Sequence, residues 1–163
     1  MSSTSPSDPM VLCYDGSEHA KRAIEEAAEL FPGEHTLVLT IWQPVSSLRS
    51  SFGWPGMTAG INLVELNRNA EEQAIGIAEE GVEMARQLGL DAEQLVTQAT
   101  GSVSETVVET ADEYRAGIVI VGSRGLTGLR SRLLGSVSRA VVHDAHQPTL
   151  VVHLPKATEL AAA

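Results

Sequence analysis

Cysteine is nearly absent: Cys13 is the one cysteine in 163 residues. A lone cysteine forms no internal disulfide, and without Cys/His pairs at ligand spacing a structural zinc site is excluded. Long apolar runs are missing as well. The most apolar stretch, Ala116 to Gly122, falls far short of the roughly 20 residues that cross a bilayer. Met1 to Pro9 is rich in Ser and Pro but has neither a basic start nor an apolar centre, so no export signal is read there and the cytoplasm is the expected compartment. Lysine occurs only at Lys21 and Lys156, which leaves every glycine-containing loop without one. Basic residues are scarce overall, 11 against 21 acidic, and the resulting net charge of −10 opposes general attraction to nucleic acid or an anionic membrane surface.

What is present is the composition of a folded domain, with 43% hydrophobic and 20% charged residues. The length fits one core. Residues 10–154 are read as that single domain, 1–9 as a disordered N-terminal tail and 155–163 as a C-terminal tail. The charge is unevenly spread. Between Tyr114 and His143 there is no Asp or Glu, whereas Arg115, Arg124, Arg130, Arg132 and Arg139 all fall there. Such a segment either balances acidic neighbours or holds a small anion.

Hydrophobic periodicity alternates between strand and helix along the whole chain. Met10 to Tyr14 reads as a strand running into Asp15-Gly16, with Ser17 as N-cap of a helix carrying Ala20, Ala23, Ile24 and Ala27. Pro32-Gly33 ends that helix, and Thr36 to Trp42 is β-branched-rich and extended. A long loop from Gln43 to Gly60 holds Phe52 and Trp54, aromatics suited either to a lid or partner surface or to packing on the next helix. Asn62 to Leu88 carries one apolar stripe and is closed by Gly89. Gln94 to Ala99 is a weaker strand, Ser102-Val-Ser-Glu105 is a capping box opening a helix, and Ala116-Gly117 stops it. Ile118 to Val121 is the most apolar strand. A loop, a helix over Gly135 to Ala145 and a strand over Thr149 to His153 complete the order.

Five strands separated by four helices imply an α/β fold with a parallel sheet. Right-handed crossovers then place the strands in the order 3-2-1-4-5, doubly wound with helices on both faces. The order reverses between the first and fourth strands, where ligands of such sheets bind. Two loops leave that point: Asp15-Gly16-Ser17, with an isolated carboxylate, and Gly122 onward, which opens the basic segment.

The second loop reads Gly122-Ser123-Arg124-Gly125, nine residues, then Gly135-Ser136-Val137-Ser138 at the head of a helix. Glycines admit a phosphate close to the backbone, and free N–H groups at a helix N-terminus bind anions. The same features would also serve a plain turn over the sheet, with Ser136 or Ser138 as a cap. A P-loop requires a lysine after its glycines, and none is here. A dinucleotide fold requires G-x-G-x-x-G after its first strand, where this chain has Asp15-Gly16-Ser17. A phospho-receiver site would need acidic residues where the third strand ends in Ala99-Thr100.

The spacing resembles the G-x2-G-x9-G-[ST] signature of the ATP-binding class of the universal stress protein family. Val11-Leu-Cys-Tyr-Asp-Gly-Ser17 is similar to that family's first strand and turn, and Gln147-Pro-Thr-Leu-Val-Val152 to its terminal strand, so the resemblance spans nearly the whole chain. It implies an ATP pocket with Asp15 near the ribose or a metal such as Mg2+, Ile41 at the adenine, and Gly122, Gly125, Gly135, Ser136, Val137 and Ser138 around the phosphates. It also implies a stress-response regulator in the cytoplasm that dimerises through the terminal strand Thr149 to His153, an edge strand in the order above.

No catalytic residue is assigned. His143, Asp144 and His146 sit at a helix end, where histidine favours the negative pole of the helix dipole, and His19 lies in a first helical turn that either faces solvent or reaches a ligand. Cys13 reads as a strand residue rather than a redox sensor. With nothing evident to activate water, ATP binding with at most weak hydrolysis is expected. The alternatives are a slow Mg2+-dependent ATP hydrolase or nucleotidyl enzyme, and a protein-interaction module stabilised by nucleotide.

Overall fold

The fold is built from β1 (Met10–Cys13), α1 (Glu18–Leu30), β2 (His35–Trp42), α2 (Leu63–Gln87), β3 (Asp91–Gln98), α3 (Val103–Glu113), β4 (Ile118–Gly122), α4 (Ser136–Asp144) and β5 (Thr149–Val152). The structure, a computed structural model, describes residues 8–45, 62–126 and 134–155. The expectations for the two chain tails, for Phe52 and Trp54, and for Arg130 and Arg132 fall on residues outside that range, apart from positions 8, 9 and 155.

All strand pairings are parallel and the sheet order is β3-β2-β1-β4-β5. Side chains alternate across the pleat and feed two separate cores. On one face Met10, Leu12, Tyr14, Val38 and Ile120 pack with Ala20, Ala23, Ile24 and Ala27 of α1 and Val82 and Ala85 of α2. On the other, Val11, Leu37, Leu39, Val119 and Val121 pack with Val107 and Ala111 of α3 and Val141 of α4. Val11, Leu12, Val119 and Ile120 are wholly inaccessible to solvent, as strands covered on both faces require.

Helix starts follow their caps. Ser17 accepts the Ala20 N–H at 3.2 Å, Asn62 accepts the Glu65 N–H at 3.3 Å, and the Ser102/Glu105 capping box is complete. The ends show two departures from expectation. β3 begins at Asp91, ahead of the expected Gln94, because the register continues from His35↔Asp91 at a polar, half-exposed edge where apolar alternation is weak. α3 is closed by Arg115 rather than by Ala116-Gly117: Arg115 adopts φ 49°, while the N–H groups of Arg115 and Ala116 return to the Asp112 and Ala111 carbonyls. Gly89, at φ 93°, closes α2 with the same bonding pattern.

Tyr14 ties α2 to the sheet. Its ring lies against Gly81, its hydroxyl donates to Glu80 Oε1 at 2.8 Å, and its carbonyl accepts from Thr40 Oγ1 at 2.9 Å. A Cβ at Gly81 would stand 2.7 Å from Tyr14 Cδ1 and 3.0 Å from Val38 Cγ1. In an open helix Gly→Ala stabilises by about 1 kcal/mol; here overpacking reverses the sign, at a cost of about 1–3 kcal/mol. Urea unfolding of Gly81→Ala should therefore show a net loss of stability, and a gain would contradict this packing.

Candidate functional site

β1 and β4 are neighbours, and the chain leaves them in opposite directions, to α1 on one face and α4 on the other. That divergence opens a crevice at the carboxyl end of the sheet. Asp15 bridges it. Its Oδ1 accepts the Ser17 N–H at 3.0 Å within its own turn, and Oδ2 accepts the Leu126 N–H at 3.1 Å from the loop after β4. Gly16 makes the turn possible, with φ 79°. Gly125 must remain bare for the bridge to form, since a Cβ there would lie 2.5 Å from Asp15 Oδ2.

The loop after β4 is closed at its neck by Ser123, a buried residue that the sequence reading left without a role. Its N–H donates to the Val152 carbonyl at 2.7 Å, continuing the sheet. Its carbonyl accepts the Gly135 N–H at 2.8 Å and the Ser138 hydroxyl at 3.1 Å. Ser138 also donates to the Gly135 carbonyl, so its buried hydroxyl serves the neck. Gly135 is the N-cap of α4 and is extended, and the first helical bond runs from the Arg139 N–H to the Gly135 carbonyl. Among the described residues no side chain caps this helix. The backbone N–H groups of Ser136, Val137 and Ser138 thus form the donor end of the helix dipole beside the crevice.

Of the residues expected around one ligand, the structure gathers Asp15, Gly125, Gly135 and Ser138 into these two clasps. Ile41, one strand over, and Val137 are half-buried against the core on the α3/α4 face, so both present apolar surface at the same end of the sheet. Gly122 has a packing reason of its own. The space its Cβ would fill is taken by the backbone of His19, 2.8 Å from that residue's carbonyl carbon, so glycine lets α1 lie close on β4.

The remaining titratable candidates lie apart from the crevice, His19 excepted. Gln147 and His146 both bond to Asp112 of α3, at 2.8 Å and 3.1 Å, and lower its carboxyl pKa; His143 pairs with Asp144 at 2.6 Å and is raised by it. Cys13 packs against the α3/α4 core, and burial lifts its thiol to about 12, which keeps it protonated and unreactive. No group of three or more His, Cys, Asp or Glu that could hold a metal occurs among the described residues. A shallow depression lined by Arg22, Glu25, Ala28, Glu29 and Leu88 lies on the α1/α2 flank. It lacks the convergent donors found at the crevice. No helix among the described residues is long and apolar enough to cross a membrane.

Comparison with known proteins bears on this geometry. The sequence model of the universal stress protein family matches residues 7–153. A universal stress protein of Thermus aquaticus is 31% identical over 145 residues, spanning 88% of this chain and 96% of that protein. A universal stress protein solved in complex with cAMP shares the fold at TM-score 0.62 and 24% identity, covering 91% of this chain and 98% of that one. A family protein from Arabidopsis thaliana solved with AMP bound does so at TM-score 0.59 and 16% identity, covering 93% and 94%.

The two glycines flanking the loop after β4 should separate in stability measurements without any ligand. Gly122→Ala drives a methyl into the α1 backbone and should cost about 1–3 kcal/mol. At Gly135 the nearest obstacle to a Cβ is the Ser123 carbonyl oxygen at 3.4 Å, and φ is −60°, so Gly135→Ala meets no clash and should cost only the N-cap preference for glycine over alanine, about 1 kcal/mol or less and below the cost of Gly122→Ala. Equal costs in urea unfolding would contradict the packing role given to Gly122.

Proposed function

Because the chain belongs to the universal stress protein family, we propose that it binds an adenine nucleotide, ATP above all, in the crevice between β1 and β4, and acts by binding rather than by turnover. The observation that carries this is the pairing of an uncapped α4 N-terminus with the Asp15 bridge across a glycine-gated loop. Phosphates take the N–H groups of Ser136, Val137 and Ser138, and Gly125 and Gly135 leave room for them at the loop's two ends. Adenine lies on the apolar surface of Ile41, in reach of Val137. Asp15 receives the ribose: each of its oxygens already accepts one N–H and keeps a lone pair for a hydroxyl. Mg2+ arriving with ATP would be held chiefly by phosphates and water, with the Asp15 carboxylate at hand in the crevice. The solved relatives with cAMP and AMP support the adenine class. Among the described residues no side chain is bonded in place as a base for water at the crevice, which supports a stress-response regulator over a hydrolase.

Ser136→Pro tests the phosphate assignment without disturbing the fold. Proline is favoured at the first position of a helix, and Gly135, at φ −60° and ψ 160°, already has the backbone that must precede it. The variant removes one N–H aimed at the anion. Calorimetric titration with ATP should show affinity reduced by at least about tenfold, the loss of one charge-assisted hydrogen bond. Undiminished affinity in the folded variant would contradict the site.

A homodimer through β5 belongs to the same proposal. The Pro148 and Val152 carbonyls face inward, accepting from Val119 and Ser123, so alternation turns the N–H and C=O of Val151 to the open edge. Leu30 of α1 and Leu150 and Val151 of β5 line a shallow groove along that edge. Val151→Pro should leave the β4 ladder intact while removing an outward donor. Sedimentation should find wild type dimeric at micromolar concentration and this variant monomeric; monomeric wild type would defeat the dimer.

A further inference from the structure

The carboxyl ends of β1, β4 and β5 bring together three side chains outside the residues already assigned to the nucleotide. His19 stands in the first turn of α1 with its backbone pressed on Gly122. Arg124 follows Ser123, and His153 follows Val152, the two residues joined by the 2.7 Å bond from the Ser123 N–H to the Val152 carbonyl. The three therefore sit on adjacent chain ends beside the loop neck. Partial burial, then the charges of Arg124 and His153, hold the His19 imidazole below its ordinary pKa. Asp15 and Glu18 act in the opposite direction and are outweighed. Toward α2 the nearest charges are already paired: Lys21 lies 3.6 Å from Glu18 and 3.4 Å from Glu80, which also accepts from Tyr14.

We infer that His19 makes nucleotide binding proton-linked, standing with Arg124 and His153 at an end wall for the phosphates and gaining a proton from solvent as the anion settles beside it. The inference rests on the nucleotide reading of the crevice. Without ligand, partial burial together with the charges of Arg124 and His153 outweighs Asp15 and Glu18 and disfavours the His19 imidazolium. A phosphate placed there reverses the local field and favours the imidazolium. Between the free and bound pKa values the complex holds more protons than the separate partners. Affinity therefore rises as pH falls through that window, and levels off once His19 is protonated in the free protein. A polyphosphate brings more charge to the wall than a monophosphate, so ATP should show a steeper dependence than AMP.

The test is calorimetric titration of ATP and of AMP into the full chain from pH 8 to pH 5.5, in buffers of different ionisation heat that report proton uptake. The phosphates' own titration near pH 6 is common to all variants and cancels on comparison. Wild type should gain about fivefold more ATP affinity over this range than His19→Gln. The gain should be smaller for AMP. His146→Gln, bonded instead to Asp112, should keep the wild-type slope. Ring resonances should show the His19 pKa rising on addition of ATP. Nucleotide binding with the same pH dependence in wild type and His19→Gln, or an unmoved His19 pKa, would overturn the inference and leave the nucleotide reading standing. Absence of ATP and AMP binding at every pH would overturn that reading itself.

Discussion

The crevice depends on a single carboxylate reaching across the reversal in strand order. A parallel sheet wound in both directions sends the loops after β1 and β4 to opposite faces, and the sheet itself does nothing to hold them together. Asp15 does so by accepting one N–H from each loop, at 3.0 Å from Ser17 and 3.1 Å from Leu126. Both bonds join an acidic side chain to backbone donors, and the carboxylate can only stand there because Gly16 turns with positive φ and Gly125 has no side chain. Tyr14, the preceding residue, fixes the base of the turn through its ring on Gly81 and its hydroxyl on Glu80. The position of one oxygen pair at the crevice is thus set by contacts from β1, α2 and the loop after β4.

The second clasp fixes the donors. Ser123 joins β4 to β5 through its N–H and closes the loop after β4 through its carbonyl. With both ends of the loop tied at Ser123, the α4 N-terminus is held beside Asp15 whatever path the intervening residues take. Glycines around this point serve different demands. Gly16 answers to backbone conformation, Gly122 to the approach of α1, and Gly125 to the Asp15 carboxylate, whereas neither φ nor close packing requires Gly135 to be bare. In the proposed function that last glycine is the one left to the ligand.

Much of this was legible in the sequence. Alternation of strand and helix periods, together with the handedness of crossovers, yields the order β3-β2-β1-β4-β5 and puts Asp15 and Gly122 at the same reversal. Ser17 and the Ser102/Glu105 box mark helix starts because capping is a local matter of side-chain oxygen and backbone N–H. What escaped depends on contacts distant in sequence. The polar start of β3 is decided by pairing with β2, not by its own pattern. Arg115 gives no sign of its left-handed turn, a place usually taken by glycine. Ser138 reads as a ligand hydroxyl until Ser123 is found beneath it, and the reason for glycine at 122 appears only when α1 is laid on the sheet. An Asp-Gly dipeptide signals a turn, but nothing local announces that the aspartate will also reach Leu126.

Amide hydrogen exchange followed residue by residue, with and without saturating ATP, tests the central claim most directly, because the account names the donors. It predicts slowed exchange concentrated at the N–H groups of Ser136, Val137 and Ser138 and at the Asp15 bridge on Ser17 and Leu126, with the α1/α2 flank around Arg22 and Leu88 unchanged. Unaltered exchange at the α4 N-terminus, or protection confined to the α1/α2 flank, would contradict it.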